Sequence, residues 1–185
     1  MALGGWNQWL VKTCERYNLR TDKWSGMAPL NTGRTQHGSV LLASQTAFAF
    51  CGTQGRAKRL NSIERIDIEA EREWKQLPVD NWINKSLFLA ASRFRDGIAV
   101  FGGSDHASLT TYIVSREGEF REDLSSDWLI PGYMNSRSHI VKNGKIYAMS
   151  WDSTRKDERI VVFDGKRWEF LWLSIESFNK LNISF

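Results

Sequence analysis

Side chains that bind metals or form disulfides are scarce in this sequence. It contains two cysteines, Cys14 and Cys51, too few for a cysteine metal framework, and we expect both to be free thiols in strands. Three histidines, His37, His106 and His139, follow neither an HxxxH nor an HxH spacing. The sequence therefore predicts no metal site.

Long apolar runs are also missing. No segment approaches the roughly 20 apolar residues that are needed to span a bilayer. Residues 1–12 place Gly4-Gly5, Asn7 and Gln8 where a signal peptide would have its apolar centre. We therefore expect a cytoplasmic protein with no membrane partner.

Charge of one sign is not in large excess, because 25 Lys and Arg residues are interspersed with 21 Asp and Glu residues. The net charge of +4 produces no strong field for a polyanion, so nucleic acid is not an expected partner. A basic loop, Arg56, Lys58 and Arg59, is the one segment that favours nucleic acid or an acidic partner. The 42% of hydrophobic residues is typical of a globular protein with a substantial core.

Three sets of residues recur together at intervals of about 50 residues, which indicates a repeat architecture. The first set is a glycine pair, intact or degenerate, which we call the glycine slot: Gly4-Gly5, Cys51-Gly52, Gly102-Gly103 and Met149-Ser150. The second set is a tripeptide: Glu15-Arg16-Tyr17, Glu64-Arg65-Ile66, Thr110-Thr111-Tyr112 and Glu158-Arg159-Ile160. The third set is an aromatic column: Trp24, Trp74, Phe120 and Trp168.

Within each repeat, short apolar segments alternate with turn residues. Residues 39–42 and 47–50 read as a hairpin, and Asn143-Gly144 is a type I′ turn signal between two further strands. Asp164-Gly165 marks another hairpin. This pattern predicts an all-β fold of four-stranded antiparallel units.

In this order, the features resemble the kelch repeat family of β-propellers. The stretch from Glu15-Arg16-Tyr17-Asn18 through Asp22-Lys23-Trp24 to Leu30 and Arg34 carries the resemblance best. The resemblance implies a kelch-type segment of about four repeats over residues 1–172: a partial blade at 1–30 and blades at about 34–77, 84–124 and 137–171. One departure concerns the arginine beyond the aromatic residue, because Arg34 and Arg137 fill this position but Asn84 or Lys85 stands between them.

The recurring residues are expected to be structural. Glycines in the slots allow an inner strand to end tightly: Gly5, Gly52, Gly102 and Gly103. The aromatic column is expected to pack adjacent sheets together. The Glu-Arg pairs are expected to form repeated salt bridges or backbone hydrogen bonds, since a catalytic pair would occur once.

Closure of the propeller has two solutions, because kelch propellers usually contain more than four blades. One is a closed four-bladed ring, with residues 173–185 as a C-terminal tail that supplies a candidate closing strand. The other, which we favour, is an incomplete propeller whose edge is covered by another chain or by a missing part of the propeller.

No catalytic constellation is evident. Ser104, Asp105 and His106 are residue types of a catalytic triad, but no G-x-S-x-G elbow accompanies them. The Gly144-Lys145 and Gly165-Lys166 pairs are not followed by Ser or Thr, which excludes a phosphate loop. We expect neither enzyme activity nor a cofactor.

The resemblance implies a protein-interaction scaffold or adaptor, with cytoskeletal or ubiquitin-ligase substrate-adaptor service as its typical roles. The alternative is a galactose-oxidase-like or other sugar-active propeller enzyme. In the scaffold, one face binds the protein partner. It is expected to combine the residues after each glycine slot with a second set beyond the arginine position: Trp6, Asn7, Thr53, Gln54, Ser104, Asp105, Trp151 and Asp152, then Gln36, Ser86 and His139.

Overall fold

The computed structural model describes residues 1–43, 45–55, 58–79, 89–102, 111–124, 133–152 and 157–171. Over these residues the chain forms several small antiparallel sheets and no helix, so the prediction of an all-β fold is confirmed. Nothing in these ranges could cross a membrane as a helix.

The first half of the chain forms two sheets. Sheet 1 consists of β1 (Ala2–Asn7), β2 (Trp9–Asn18) and β3 (Lys23–Met27). Sheet 2 begins with β4 (Gly38–Leu42) and β5 (Thr46–Phe50). The chain then makes a separate ribbon from β6 (Thr53–Gln54) and β7 (Lys58–Arg59), and it completes sheet 2 with β8 (Ile63–Asp67) and β9 (Lys75–Leu77).

The second half forms two four-stranded meanders. Sheet 3 contains β10 (Leu89–Phe94), β11 (Gly97–Gly102), β12 (Thr111–Val114) and β13 (Phe120–Asp123). Sheet 4 contains β14 (Tyr133–Lys142), β15 (Lys145–Asp152), β16 (Asp157–Phe163) and β17 (Trp168–Phe170). Strands are neighbours in chain order within every sheet. Sheet 4 starts before residue 137, where the fourth blade was predicted to begin.

Local chemistry explains the hairpins. Asn143 and Gly144 both have positive φ, as the predicted type I′ turn between β14 and β15 requires. In the next hairpin, the Asp164 carboxylate accepts hydrogen bonds from the backbone N–H groups of Lys166 and Arg167 at 2.8 and 3.1 Å.

Apolar residues on both faces of the central strands fix the order in which the sheets pack. In β5, Ala47 and Ala49 lie in a cluster with Leu3 of sheet 1, whereas Phe48 and Phe50 lie in a cluster with residues of sheet 3. A third cluster joins sheets 3 and 4. Because side chains alternate between the two faces of a strand, each central strand serves two interfaces at once. The first strand of sheet 3, β10, contacts the first strand of sheet 2, β4, and the first strand of sheet 4, β14.

The aromatic column occupies equivalent positions but does not have uniform burial. Trp24 pairs with Tyr17, and Trp168 pairs with Phe163, at the same point of their hairpins. Trp74 and Trp168 are buried at 3% and 1% exposure, whereas Trp24 is 56% exposed and Phe120 is 40% exposed. Trp74 and Trp168 therefore lie in clusters between sheets, whereas Trp24 and Phe120 do not.

Trp24 and Phe120 are exposed for two different reasons. Trp24 lies on the face of sheet 1 that no other described sheet covers. Phe120 follows a register shift between β12 and β13, and its ring packs edge-on against Tyr112 at a centroid distance of 6.4 Å.

Two of the predicted repeats also differ in detail. The fourth glycine slot is continuous strand, because β15 runs through Met149 and Ser150 to Asp152. Glu15 and Glu64 are equivalent, since each lies opposite the residue two positions before its glycine slot. In sheet 3 that position belongs to Tyr112, and Glu158 pairs beyond the slot with Trp151. The glutamate column is thus restricted to sheets 1 and 2 of the described structure.

Replacing Trp74 with alanine is expected to lower the free energy of unfolding by about 3–5 kcal/mol, because the change removes a buried indole that fills the interface between sheets 1 and 2. Chemical denaturation at low protein concentration measures the loss. Trp24→Ala is the matched control, since it removes the same side chain from the equivalent exposed position. Equal losses for the two variants would contradict the assigned interface.

Candidate interaction face

A linker, residues 28–37, connects sheets 1 and 2 and is fixed to both. The Leu30 N–H donates to the carbonyl of Lys12 at 2.9 Å, and the Gly5 N–H donates to the carbonyl of Arg34 at 2.9 Å. On the other side, Thr35 and Thr53 exchange backbone hydrogen bonds at 2.9 and 3.1 Å. The linker is therefore as ordered as a strand, although it belongs to neither sheet.

Arg34 anchors this linker from within. Its guanidinium is fully buried and forms an ion pair with the Glu64 carboxylate, which is 1% exposed. The same guanidinium donates to the carbonyls of Cys51 and Ser62 at 2.9 and 3.1 Å and to the Ser62 hydroxyl at 3.0 Å. A buried charge is tolerated only when it is paired and hydrogen-bonded, and both conditions are met here.

Glu64 holds the other part of the linker. Its carboxylate accepts hydrogen bonds from the backbone N–H groups of Asn31 and Thr32 at 2.7 and 3.1 Å. The Asn31 side chain then donates to the carbonyl of Trp74 at 2.6 Å, and the Trp74 indole N–H donates to the carbonyl of Ala28 at 2.8 Å. One carboxylate thus joins sheet 2 to both halves of the linker.

The first two glycine slots lie against this linker. A Cβ atom on Gly4 would lie 2.8 Å from the carbonyl oxygen of Arg34, and one on Gly52 would lie 2.5 Å from that of Thr35. Both glycines also have positive φ, so other residues would be strained there. The slots therefore lie against Arg34 and Thr35, the two residues that precede Gln36.

We call this arrangement the rim: Trp6, Asn7, Gln36 and Gln54. Trp6 is 62% exposed, Asn7 is exposed, and the two glutamines are half-buried. Thr53, which was predicted to belong to the binding face, is buried and used internally. Its hydroxyl is within hydrogen-bond distance of the carbonyls of Gly55 and Lys58, at 2.5 and 3.1 Å. Four of the eleven predicted binding residues therefore lie in the linker or in strands that are hydrogen-bonded to it.

The other predicted residues are not brought to the rim by any described contact. His139 lies in β14, where its half-buried ring meets Phe101 edge-on at a centroid distance of 5.2 Å. Trp151 and Asp152 end strand β15, where they pair with Glu158 and Asp157 instead of forming a loop. Ser86, Ser104 and Asp105 lie outside the described residues.

Sequence reasoning missed His37, the residue that follows the rim position Gln36. Its Nδ1 atom is buried and has no hydrogen-bond partner among the described residues. Burial, with a smaller contribution from the Arg34 charge, lowers the pKa of His37 to about 4. The imidazole is therefore neutral at pH 7. No sequence signal marked it, since isolated histidines have no diagnostic spacing.

The thiols near the linker are not activated as nucleophiles. Burial raises the pKa of Cys51 to about 12 despite the nearby Arg34, and burial also raises the pKa of Cys14. Since the thiolate is the reactive form, neither group is a competent nucleophile at neutral pH. Among the described side chains, no group of three or more His, Cys, Asp and Glu residues is arranged to hold a metal ion.

Comparisons with known proteins add no family assignment: no protein-family model matches the chain, and no curated protein matches it.

Replacing Glu64 with glutamine is expected to lower the free energy of unfolding by about 3–5 kcal/mol, because the change leaves the buried Arg34 charge without its counterion. Urea denaturation measures the effect. Glu15→Gln provides the control at the equivalent exposed position, where the loss should stay within about 0.5 kcal/mol. Losses of similar size would show that the Arg34 contact contributes little.

His37 is expected to make the protein less stable in mild acid. Its pKa is lower in the folded chain than the ordinary value of 6.5, so the unfolded chain binds the proton more tightly. Stability is complete above about pH 6.5 and falls as the pH decreases toward 4, by up to about 3 kcal/mol. Urea denaturation of wild type and His37→Asn from pH 7 to pH 4 measures this contribution. Parallel pH profiles for the two proteins would refute it.

Proposed function

We propose that this protein is a non-catalytic interaction scaffold, and that a protein partner binds at the rim. The observation that carries the proposal is the 62% exposure of the Trp6 side chain at a position that pairs with β2 and directly follows Gly5, which is hydrogen-bonded to the linker. A large exposed indole presents its apolar surface to water. It contributes strongly to the free energy of binding when a partner covers it.

The architecture supports a kelch-type, propeller-like arrangement as part of this proposal. Successive sheets pack face to face, and the first strands of sheets 2, 3 and 4 lie next to one another through β10. Blades arranged around a central axis have this relation between their first strands. The two intact glycine slots and the Arg34 position are the features that the resemblance to kelch repeats contributes.

Rigidity supports a binding role for the rim. The linker is held by the Arg34–Glu64 ion pair and by backbone hydrogen bonds to both sheets. A preorganised surface loses little conformational entropy when a partner binds. Adaptor service in the cytoplasm, toward the cytoskeleton or a ubiquitin-ligase substrate, is the role that kelch repeats favour.

The double change Trp6→Ala and Gln54→Ala is expected to weaken partner capture at least tenfold, or about 1.4 kcal/mol, without changing the melting temperature. Neither side chain is needed for the core, since Trp6 is exposed and Gln54 is half-buried. Quantitative affinity capture from cell extract, read by mass spectrometry, identifies the proteins that wild type retains and measures their loss.

Trp24→Ala is the control for this experiment, because Trp24 is also exposed but lies at the opposite end of sheet 1, near the β2–β3 turn. Retention of every captured protein by the double variant would exclude the rim. Loss of the same proteins from Trp24→Ala would assign binding to the uncovered face of sheet 1 instead.

A further inference from the structure

Acidic residues are absent from the segments that build the rim. No Asp or Glu occurs in residues 1–14 or in residues 28–63, which together contain β1, the linker, β4, β5 and the β6–β7 ribbon. The same segments contain basic residues: Lys12, Arg34, Arg56, Lys58 and Arg59. The overall charge is nearly balanced, so this distribution is a local property of the rim and its surroundings.

The structure places two of these cations beside the linker. Lys58 is exposed and pairs with the rim residue Gln54 across the β6–β7 ribbon. Lys12 is exposed, its carbonyl accepts the hydrogen bond from Leu30, and its side chain runs past Gly33. The ribbon and the linker are themselves joined through Thr35 and Thr53.

The carboxylate that holds the linker is not available to these cations. Glu64 is buried, and its two oxygens are occupied by Arg34 and by the backbone N–H groups of Asn31 and Thr32. His37 adds no positive charge at neutral pH, because its pKa is about 4. The two lysines beside the linker are therefore exposed cations on hydrogen-bonded backbone.

We propose that the rim recognises an acidic segment of its protein partner, with carboxylates beside Lys58 and Lys12 and an apolar side chain against Trp6. The inference rests on the proposed binding function and adds the chemistry of the partner. A peptide suits the surface better than a nucleic acid does, since the positive patch is small and is next to two exposed indoles, Trp6 and Trp9, and the three amide side chains of the rim.

Fluorescence anisotropy with defined peptides tests the proposal. The probe is a fluorescein-labelled peptide of alternating glutamate and leucine, and its partner probe has glutamine in place of every glutamate. The acidic peptide should bind at least tenfold more tightly than the glutamine peptide. This difference should shrink between about 50 and 300 mM salt, as exposed charges become screened.

Charge reversal locates the binding site. Lys58→Glu and Lys12→Glu should each weaken binding of the acidic peptide at least fivefold and leave the glutamine peptide unaffected. Lys23→Glu is the matched control, because it makes the same change in net charge at the far end of sheet 1. Circular dichroism and melting of each variant verify that it is folded.

Three results would overturn the inference: equal affinity for both peptides, equal loss in Lys23→Glu and Lys58→Glu, or tighter binding of labelled oligo(dT) than of the acidic peptide with the same dependence on Lys58. The capture experiment keeps the two proposals apart. One double variant combines Trp6→Ala with Gln54→Ala, and the other combines Lys58→Glu with Lys12→Glu. If the first variant loses a partner that the second retains, the rim is a binding site, but its preference for acidic segments is refuted.

Discussion

The buried ion pair between Arg34 and Glu64 is the interaction on which the arrangement of sheets 1 and 2 depends. Its carboxylate belongs to sheet 2 and its guanidinium to the linker, and between them they satisfy two backbone N–H groups and two carbonyls. A linker without this pair would leave those polar groups buried and unsatisfied, at a cost that packing alone could not offset. The position of Gln36, and with it the rim, therefore depends on this ion pair together with the backbone hydrogen bonds of the linker.

Equivalent repeat positions have different roles because their surroundings differ. Glu15 and Glu64 share one position in their sheets, as do Trp24 and Trp74, yet the members of sheet 2 are buried and those of sheet 1 are exposed. The difference lies in the neighbouring sheet: sheet 2 receives the linker and sheet 1 on the same face, whereas no described sheet covers that face of sheet 1. A repeat position thus determines where a side chain points, and the adjacent repeat determines what it contacts.

Much of the fold could be predicted from local sequence, and much of the site could not. Asn143-Gly144 identified its turn from residue type alone, and the aromatic column identified equivalent strands from spacing alone. The partner of Glu64 is a residue 30 positions away, Arg34, and the neighbouring Arg65 contacts Glu71 instead. Spacing could not reveal that choice, because it depends on how the linker crosses the sheets. The interpretation of Met149-Ser150 as a glycine slot differs from the structure for a related reason. Only the pairing of β15 with β16 shows that the strand continues through these two residues.

Strand order has a consequence for how the chain folds. In every sheet the strands follow one another in chain order, so paired strands are close in sequence. The one insertion among the described strands is the β6–β7 ribbon, which lies between β5 and β8 of sheet 2. Contacts between nearby segments close small loops and form quickly. Sheet 1 can therefore form its hairpins from residues 2–27 and bind the linker through Leu30 and Arg34, but the ion pair of Arg34 requires Glu64, 30 residues further along the chain. The guanidinium of Arg34 has its counterion only when the strand that carries Glu64 is in place, so burial of this charge requires sheets 1 and 2 together.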